Sequence, residues 1–399
     1  MNVTIYFTGS YPYGNAASNR VHHIAKGLVD NNLNVKLIIT NPTENDKNSL
    51  NYSTIDNYEG VNYSYISKST FRHKNLLFRK IIDLNSYVQT YYNILFSTKK
   101  PDFIIIIGGA FFDFRLFIPF FAKMIHAKTI LEINEYPYVN NAENVFSSFK
   151  KFIFYKIFLP SIDGFIVISD ALLALLKNNK INESKIIKVP ILFEEITKES
   201  EQNINIKKPF ILHAGSISSE EKDGMLGCIK AFKIARDKLN IDLKYIVATN
   251  FKNALDIIVI NNFIARNNIE NDVIFLENLS KHELCSYYKN ASLAIINKAN
   301  SKQNIYGFAT KISEYVANKI PLIVTPVGEI NSFFKNDFNA IFTPINDEEQ
   351  LSDKIVLLLK NVDNAKQIAD NAYFLSKTVF NPKMQGERLC CFFEKINKK

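Results

Sequence analysis

Cysteine is scarce: four residues in 399, at Cys228, Cys285 and the adjacent Cys390 and Cys391, with neither the spacing of metal ligands nor the density of a disulfide framework. We read them as reduced thiols in apolar surroundings, and no metal site is expected. Long apolar runs are missing too. The longest uncharged one, Phe103 to Phe112, is about half of the roughly 20 residues that span a bilayer, so no membrane-spanning helix is expected. The opening MNVTIYFTGS lacks a basic n-region and goes straight into a strand pattern. We therefore expect no secretory signal and a cytoplasmic protein.

A concentrated basic patch is also lacking. The net charge is +9, but residues 1–200 hold 22 Lys and Arg against 17 Asp and Glu, and residues 201–399 hold 26 against 22, giving +5 and +4. With the excess spread evenly and no dense basic stripe with interleaved aromatics, nucleic acid is not an expected partner. Acidic residues are locally absent in one place, Gly60 to Ile82, where Lys68, Arg72, Lys74, Arg79 and Lys80 alternate with Phe71, Leu76, Leu77 and Phe78.

What is present is a 47% hydrophobic composition over a length too great for one ordinary core, which predicts two α/β domains. Val3 to Phe7, a turn-rich loop Gly9 to Ser18, a helical pattern Arg20 to Val29 and Val35 to Thr40 read as a βαβ opening. Gly14 sits in the loop that faces the ligand crevice of such a unit, although no GxGxxG fingerprint is present. After an irregular segment, Phe103 to Ile107, Thr129 to Ile133, Gly164 to Ile168 and Ile186 to Val189 read as strands. Glu132 and Glu135 stand at a strand's carboxyl end and are site candidates by position. Ser169 is placed to cap a helix from Asp170. The segment Phe146 to Pro160 carries aromatics with Lys150, Lys151 and Lys156 and no acid, and suits either an anionic membrane surface or a core-facing helix.

The polar stretch Phe193 to Lys208 reads as a linker. The plan then repeats, with strands Phe210 to Ala214, Leu243 to Ala248, Val273 to Phe275 and Leu293 to Ile296, and an S-x-x-E capping box at Ser280 and Glu283. The stretch Ser301 to Glu329 reads as a polar loop with Gly307, a helix capped by Thr310 and running to about Asn318, then the strand Leu322 to Val324. Free N–H groups at that helix start suit an anion, Lys311 adds positive charge, and Glu314 is placed to take ligand hydroxyls.

Gly307 to Gly328, GFATKISEYVANKIPLIVTPVG, His213 to Gly224, HAGSISSEEKDG, and Leu131 to Pro137, LEINEYP, resemble the GT-B glycosyltransferases, and within them family 4 of retaining nucleotide-sugar transferases. The likeness covers nearly the whole chain. It implies two Rossmann-like doubly wound domains facing a central cleft: an acceptor-binding domain over 1–192, a linker over 193–208 and a nucleotide-sugar-binding domain over 209–378. A C-terminal helix over 379–399 is expected to pack back on the first domain.

The resemblance implies that Glu314 accepts from the donor's ribose hydroxyls and that the backbone at Gly307, Phe308 and Ala309 faces the donor sugar, with Thr310 and Lys311 beside it. Gly215 and Ser216 fall in the diphosphate loop, where Lys222 would neutralise the leaving group without a metal. Gly14 would let the first loop close over the phosphates. Glu135, or else Glu132, would orient the acceptor hydroxyl. Three positions depart from the pattern: Tyr306 stands where many members have the first of two glutamates, Ser216 replaces an arginine, and Asn134 or Glu135 replaces a histidine.

The function so implied is transfer of a sugar from a nucleotide-diphosphate sugar, with no other cofactor, to a lipid-linked bacterial surface glycan. Contact with an anionic membrane at the inner face of the plasma membrane goes with it. A nucleotide-sugar epimerase of the same fold and a non-catalytic membrane- or nucleic-acid-binding protein stay open as alternatives.

Overall fold

The computed structural model describes residues 1–45, 49–108, 113–137, 145–193, 209–215, 224–249 and 254–398. The chain divides into two compact units, Met1–Leu192 with Asn381–Lys399, and Phe193–Phe380. Of the expected linker, 194–208 lies outside the described residues.

The first unit is built on strands β1 (Asn2–Phe7), β2 (Asn34–Ile39), β3 (Ile55–Tyr58), β4 (Val61–Tyr65), β5 (Phe103–Ile107), β6 (Lys128–Ile133), β7 (Gly164–Val167) and β8 (Ile186–Lys188). Their order across the sheet is β3-β4-β2-β1-β5-β6-β7-β8. All neighbours run parallel except the β3/β4 hairpin. Every side chain of β5, FIIII, is buried, as a central parallel strand covered on both faces requires.

The second unit repeats the plan with β9 (Phe210–Ala214), β10 (Lys244–Ala248), β11 (Val273–Leu276), β12 (Leu293–Ile296), β13 (Leu322–Val324) and β14 (Ile341–Phe342), all parallel in the order β11-β10-β9-β12-β13-β14. In both sheets the chain starts in the middle, runs out to one edge, returns and runs to the other. This is the doubly wound order, and it opens a crevice at the carboxyl ends of β1 and β5 in one unit and of β9 and β12 in the other.

Three elements differ from the sequence reading. The segment read as irregular contains the β3/β4 hairpin, whose turn residues Glu59 and Gly60 both have positive φ, 48° and 89°. Its outer strand is mostly exposed, so no burial alternation marks it. The same segment contains the 21-residue helix Leu76–Phe96, and β14 is only two residues long.

The C-terminal helix Pro382–Asn397 lies on the helix Ala16–Val29, backbone against backbone: a Cβ on Gly386 would stand 2.1 Å from the Gly27 carbonyl oxygen. Phe393 stacks on Phe103 of β5 at 4.6 Å between ring centroids, so the chain's end completes the first unit's core.

Candidate functional site

At the β9/β12 crevice the chain leaves β9 at Ala214 and turns at Gly215, where φ is +133°, a backbone conformation that disfavours any other residue. The helix Lys311–Ala317 is fastened to this point. The Ala214 N–H donates to the Tyr315 hydroxyl at 2.7 Å, and that hydroxyl donates back to the Ala214 carbonyl at 3.3 Å. Lys311 runs beside Gly215, its Cγ 3.4 Å from where a Cβ would stand.

Lys311 Nζ donates to both oxygens of Glu314, at 2.9 Å to Oε1 and 2.8 Å to Oε2. Tyr288, from the helix Lys281–Asn290, donates its hydroxyl to Glu314 Oε2 and lies 3.4 Å from Lys311 Nζ. Burial, and then the neighbouring Glu314 charge, push the Tyr288 phenol well above its ordinary pKa, so it remains a protonated donor. The Glu314 side chain is 13% exposed. Oε2 takes two donors and Oε1 one, and each carboxylate oxygen offers two lone pairs, so Oε1 keeps capacity for a ligand hydroxyl. Tyr288 was not a candidate from the sequence. It lies 26 residues before Glu314, and no local signal joins them.

The flanking loops are held by close glycine contacts. Gly224, with φ +57°, opens the helix Met225–Leu239 without a capping side chain, and a Cβ there would lie 2.6 Å from the Asn297 carbonyl oxygen at the end of β12. Gly328, with φ +61°, lets the loop after β13 approach the Asn304 carbonyl, 2.4 Å from an added Cβ.

The expected polar loop contains a short helix, Lys302–Tyr306, capped by Ser301. Thr310 does not cap the next helix. Its backbone is already helical, with φ −60° and ψ −30°, and its side chain makes no capping bond. A cap residue needs extended backbone for its oxygen to reach the free N–H groups, which Thr310 lacks. Gly307 and Ala309 are part-exposed beside it. The Phe308 ring stacks on Phe333 at 5.5 Å and meets Phe380 edge-on, so its side chain packs within the unit. Ser216 and Lys222 lie outside the described residues.

In the first unit, β6 separates the two candidate carboxylates. Glu132 is fully buried and pairs with Arg20 of the helix Ala16–Val29 at 2.5 Å, while the same guanidinium donates to the carbonyls of Pro190 and Val189 at 2.7 and 3.0 Å. Burial raises the Glu132 pKa against the opposing pull of Arg20. Glu132 thus turns into the core, while Glu135 stands exposed just past the strand. Gly14 has a packing reason to be glycine, because a Cβ would stand 2.1 Å from Ser18 Oγ, itself donating to the Ser10 carbonyl at 2.6 Å.

Two parallel doubly wound units with these crevices define the GT-B class, and comparison with known proteins agrees. Residues 194–374, nearly all of the second unit, match the family model described as glycosyl transferases group 1. No curated protein matches the sequence. Among solved structures, a glycosyltransferase from Rickettsia africae ESF-5 is similar at a TM-score of 0.71 with 17% identity, over 100% of this chain and 99% of that one. Anabaena HepE in complex with UDP and glucose is similar at 0.69 with 12% identity, over 98% and 99%. The pneumococcal O-GlcNAc transferase GtfA in complex with UDP and GlcNAc is similar at 0.66 with 12% identity, over 100% and 99%.

Proposed function

We propose that this protein is a retaining glycosyltransferase that takes a sugar from a nucleotide-diphosphate donor and joins it to a hydroxyl of a growing, lipid-linked bacterial surface glycan at the inner face of the plasma membrane. The observation that carries the proposal is Glu314, a carboxylate kept at the β9/β12 crevice by Lys311 and Tyr288 with one oxygen still able to accept.

In this reading Glu314 holds the donor's ribose, and the backbone at Gly215, Gly307 and Ala309 flanks the diphosphate and sugar. Lys222, with Gly215 and Ser216 in the diphosphate loop, offsets the charge that grows on the leaving diphosphate as the glycosidic bond breaks. A fixed cation does this without a metal. Glu135, exposed where Glu132 is not, orients the incoming hydroxyl and assists its deprotonation. The UDP and UDP-glucose complexes of the similar Anabaena protein and the UDP complex of the pneumococcal one support a nucleotide-linked donor.

A panel of nucleotide sugars, assayed for turnover with and without acceptor, tests the proposal. Wild-type protein is expected to use at least one donor and Glu314→Ala to use none. Unchanged turnover in Glu314→Ala would remove the site assignment, and product formation without any acceptor, with the donor isomerised, would make the protein an epimerase.

A further inference from the structure

The helix Leu76–Phe96 is turned inside out. Its inward face is largely polar along the middle of the helix, with Ile94 buried near the end: Asp83 accepts from Asn41 at 2.5 Å, Asn93 accepts from the Tyr6 hydroxyl at 3.1 Å, and Ser86 and Thr90 are buried, each donating back to a carbonyl one turn earlier. Its outward face is aliphatic. Leu77, Ile81, Leu84 and Val88, at the spacing of one helical stripe, are 71, 62, 63 and 55% exposed. A surface helix of a water-soluble protein places these two faces the other way round.

The stripe does not end with that helix. Tyr91 stacks on Phe121 of the adjoining helix Ile118–Met124 at 4.5 Å, and that helix and the residue before it expose Phe117, Phe120 and Met124. The exposed charged side chains of these two helices are both lysines. The helix Leu76–Phe96 has a single carboxylate, Asp83, and it faces inward, while Lys80 and Lys123 are exposed among the apolar side chains. The segment leading into the helix from Gly60 contains no acid and presents exposed Arg72.

We infer that this face docks on an anionic lipid bilayer, with Leu77, Ile81, Leu84 and Val88 in the acyl boundary and the lysines on lipid phosphates. A second copy docking through this same face would cover the aliphatic stripe but bring only the same lysines to these cations. An anionic bilayer brings apolar cover and negative charge together. The start of the helix follows β4 at the carboxyl edge of the first sheet, the edge that also carries the Gly9 to Ser18 loop and Glu135, so docking sets that edge at the lipid surface. The inference deepens the reading of a lipid-linked acceptor and rests on it for its purpose, while the surface itself rests on the inverted helix.

Cosedimentation of the full chain with vesicles of phosphatidylcholine, with and without phosphatidylglycerol, tests it. Binding is expected only when phosphatidylglycerol is present, and added salt is expected to weaken it. Two variants, Leu77→Ser/Ile81→Ser/Leu84→Ser/Val88→Ser and Lys80→Glu/Lys123→Glu, are each expected to bind about tenfold less. Both should keep the wild-type melting transition and its response to UDP, because every altered side chain is exposed. Undiminished vesicle binding in either variant would overturn the inference, as would a wild-type dimer that the serine variant converts to monomer. Vesicle binding through the stripe without sugar transfer would instead remove the proposed function and leave the docking surface standing.

Discussion

Arg20 and Glu132 lie 112 residues apart in sequence and meet at 2.5 Å in the interior of the first unit. The pair ties the helix after β1 to the carboxyl end of β6, and through the Val189 and Pro190 carbonyls to the segment after β8. Three separate pieces of the crevice rim are thereby held by one guanidinium.

Removing one member leaves a buried charge or polar group without its partner. Arg20→Met is expected to destabilise the protein by about 3–5 kcal/mol. Adding Glu132→Leu should recover part of that loss, the two carbonyls remaining without their donor. Urea unfolding of both variants measures this, and a double variant no more stable than Arg20→Met would deny the coupling.

The pair also sets a pH dependence. Because the folded-state pKa of Glu132 is raised above its ordinary 4.5, the folded chain holds this proton more tightly than the unfolded chain does. The stabilisation is complete below about 4.5 and is lost as pH rises toward the raised folded value. Glu132→Gln cannot titrate, so its stability relative to wild type should increase through that window. A constant difference between about pH 4 and about pH 8 would contradict the assignment.

Tyr288 and Glu314 should separate in kinetics. Glu314→Ala removes the acceptor for the ligand hydroxyls and is expected to lose donor use at all accessible concentrations. Tyr288→Phe removes one donor to that carboxylate, a hydrogen bond to a charged group worth about 1.5–3 kcal/mol. It should lower kcat/KM by about tenfold or more, and if Glu314 only binds donor, the change falls on KM. A normal KM in Tyr288→Phe would show that the tyrosine does not position Glu314.

Gly328 makes a backbone prediction. Gly328→Ala meets both a left-handed backbone and the Asn304 carbonyl 2.4 Å from its new Cβ. We expect about 1–2 kcal/mol of destabilisation from the conformation alone, and more from the displaced 302–306 helix. Gly60→Ala serves as a control, since Gly60 also has positive φ but nothing lies within 4 Å of a Cβ there. Equal losses in the two variants would mean that the contact with Asn304 contributes nothing.

Local pattern was enough for most strands. Phe103–Ile107, Phe210–Ala214 and Leu293–Ile296 are buried on both faces, and continuous apolar runs announce that condition without reference to any partner. The capping boxes and caps at Ser280 and Ser169 were legible for the same reason, each being completed within three residues. The stretch around Glu314 was readable as a helix bearing a cation and a carboxylate. What only the tertiary structure decided are relationships between distant segments. Glu132 and Glu135 are nearly equivalent in sequence, yet the pleat and the helix carrying Arg20 take one into the core and leave the other outside. Tyr288 joins Glu314 only because the folded chain brings the helix Lys281–Asn290 beside the helix Lys311–Ala317. Thr310 loses its capping role to a backbone angle. The helix Leu76–Phe96 escaped its pattern because Ser86 and Thr90 are buried while Leu77, Ile81, Leu84 and Val88 are exposed, so apolar periodicity is a poor guide to burial there.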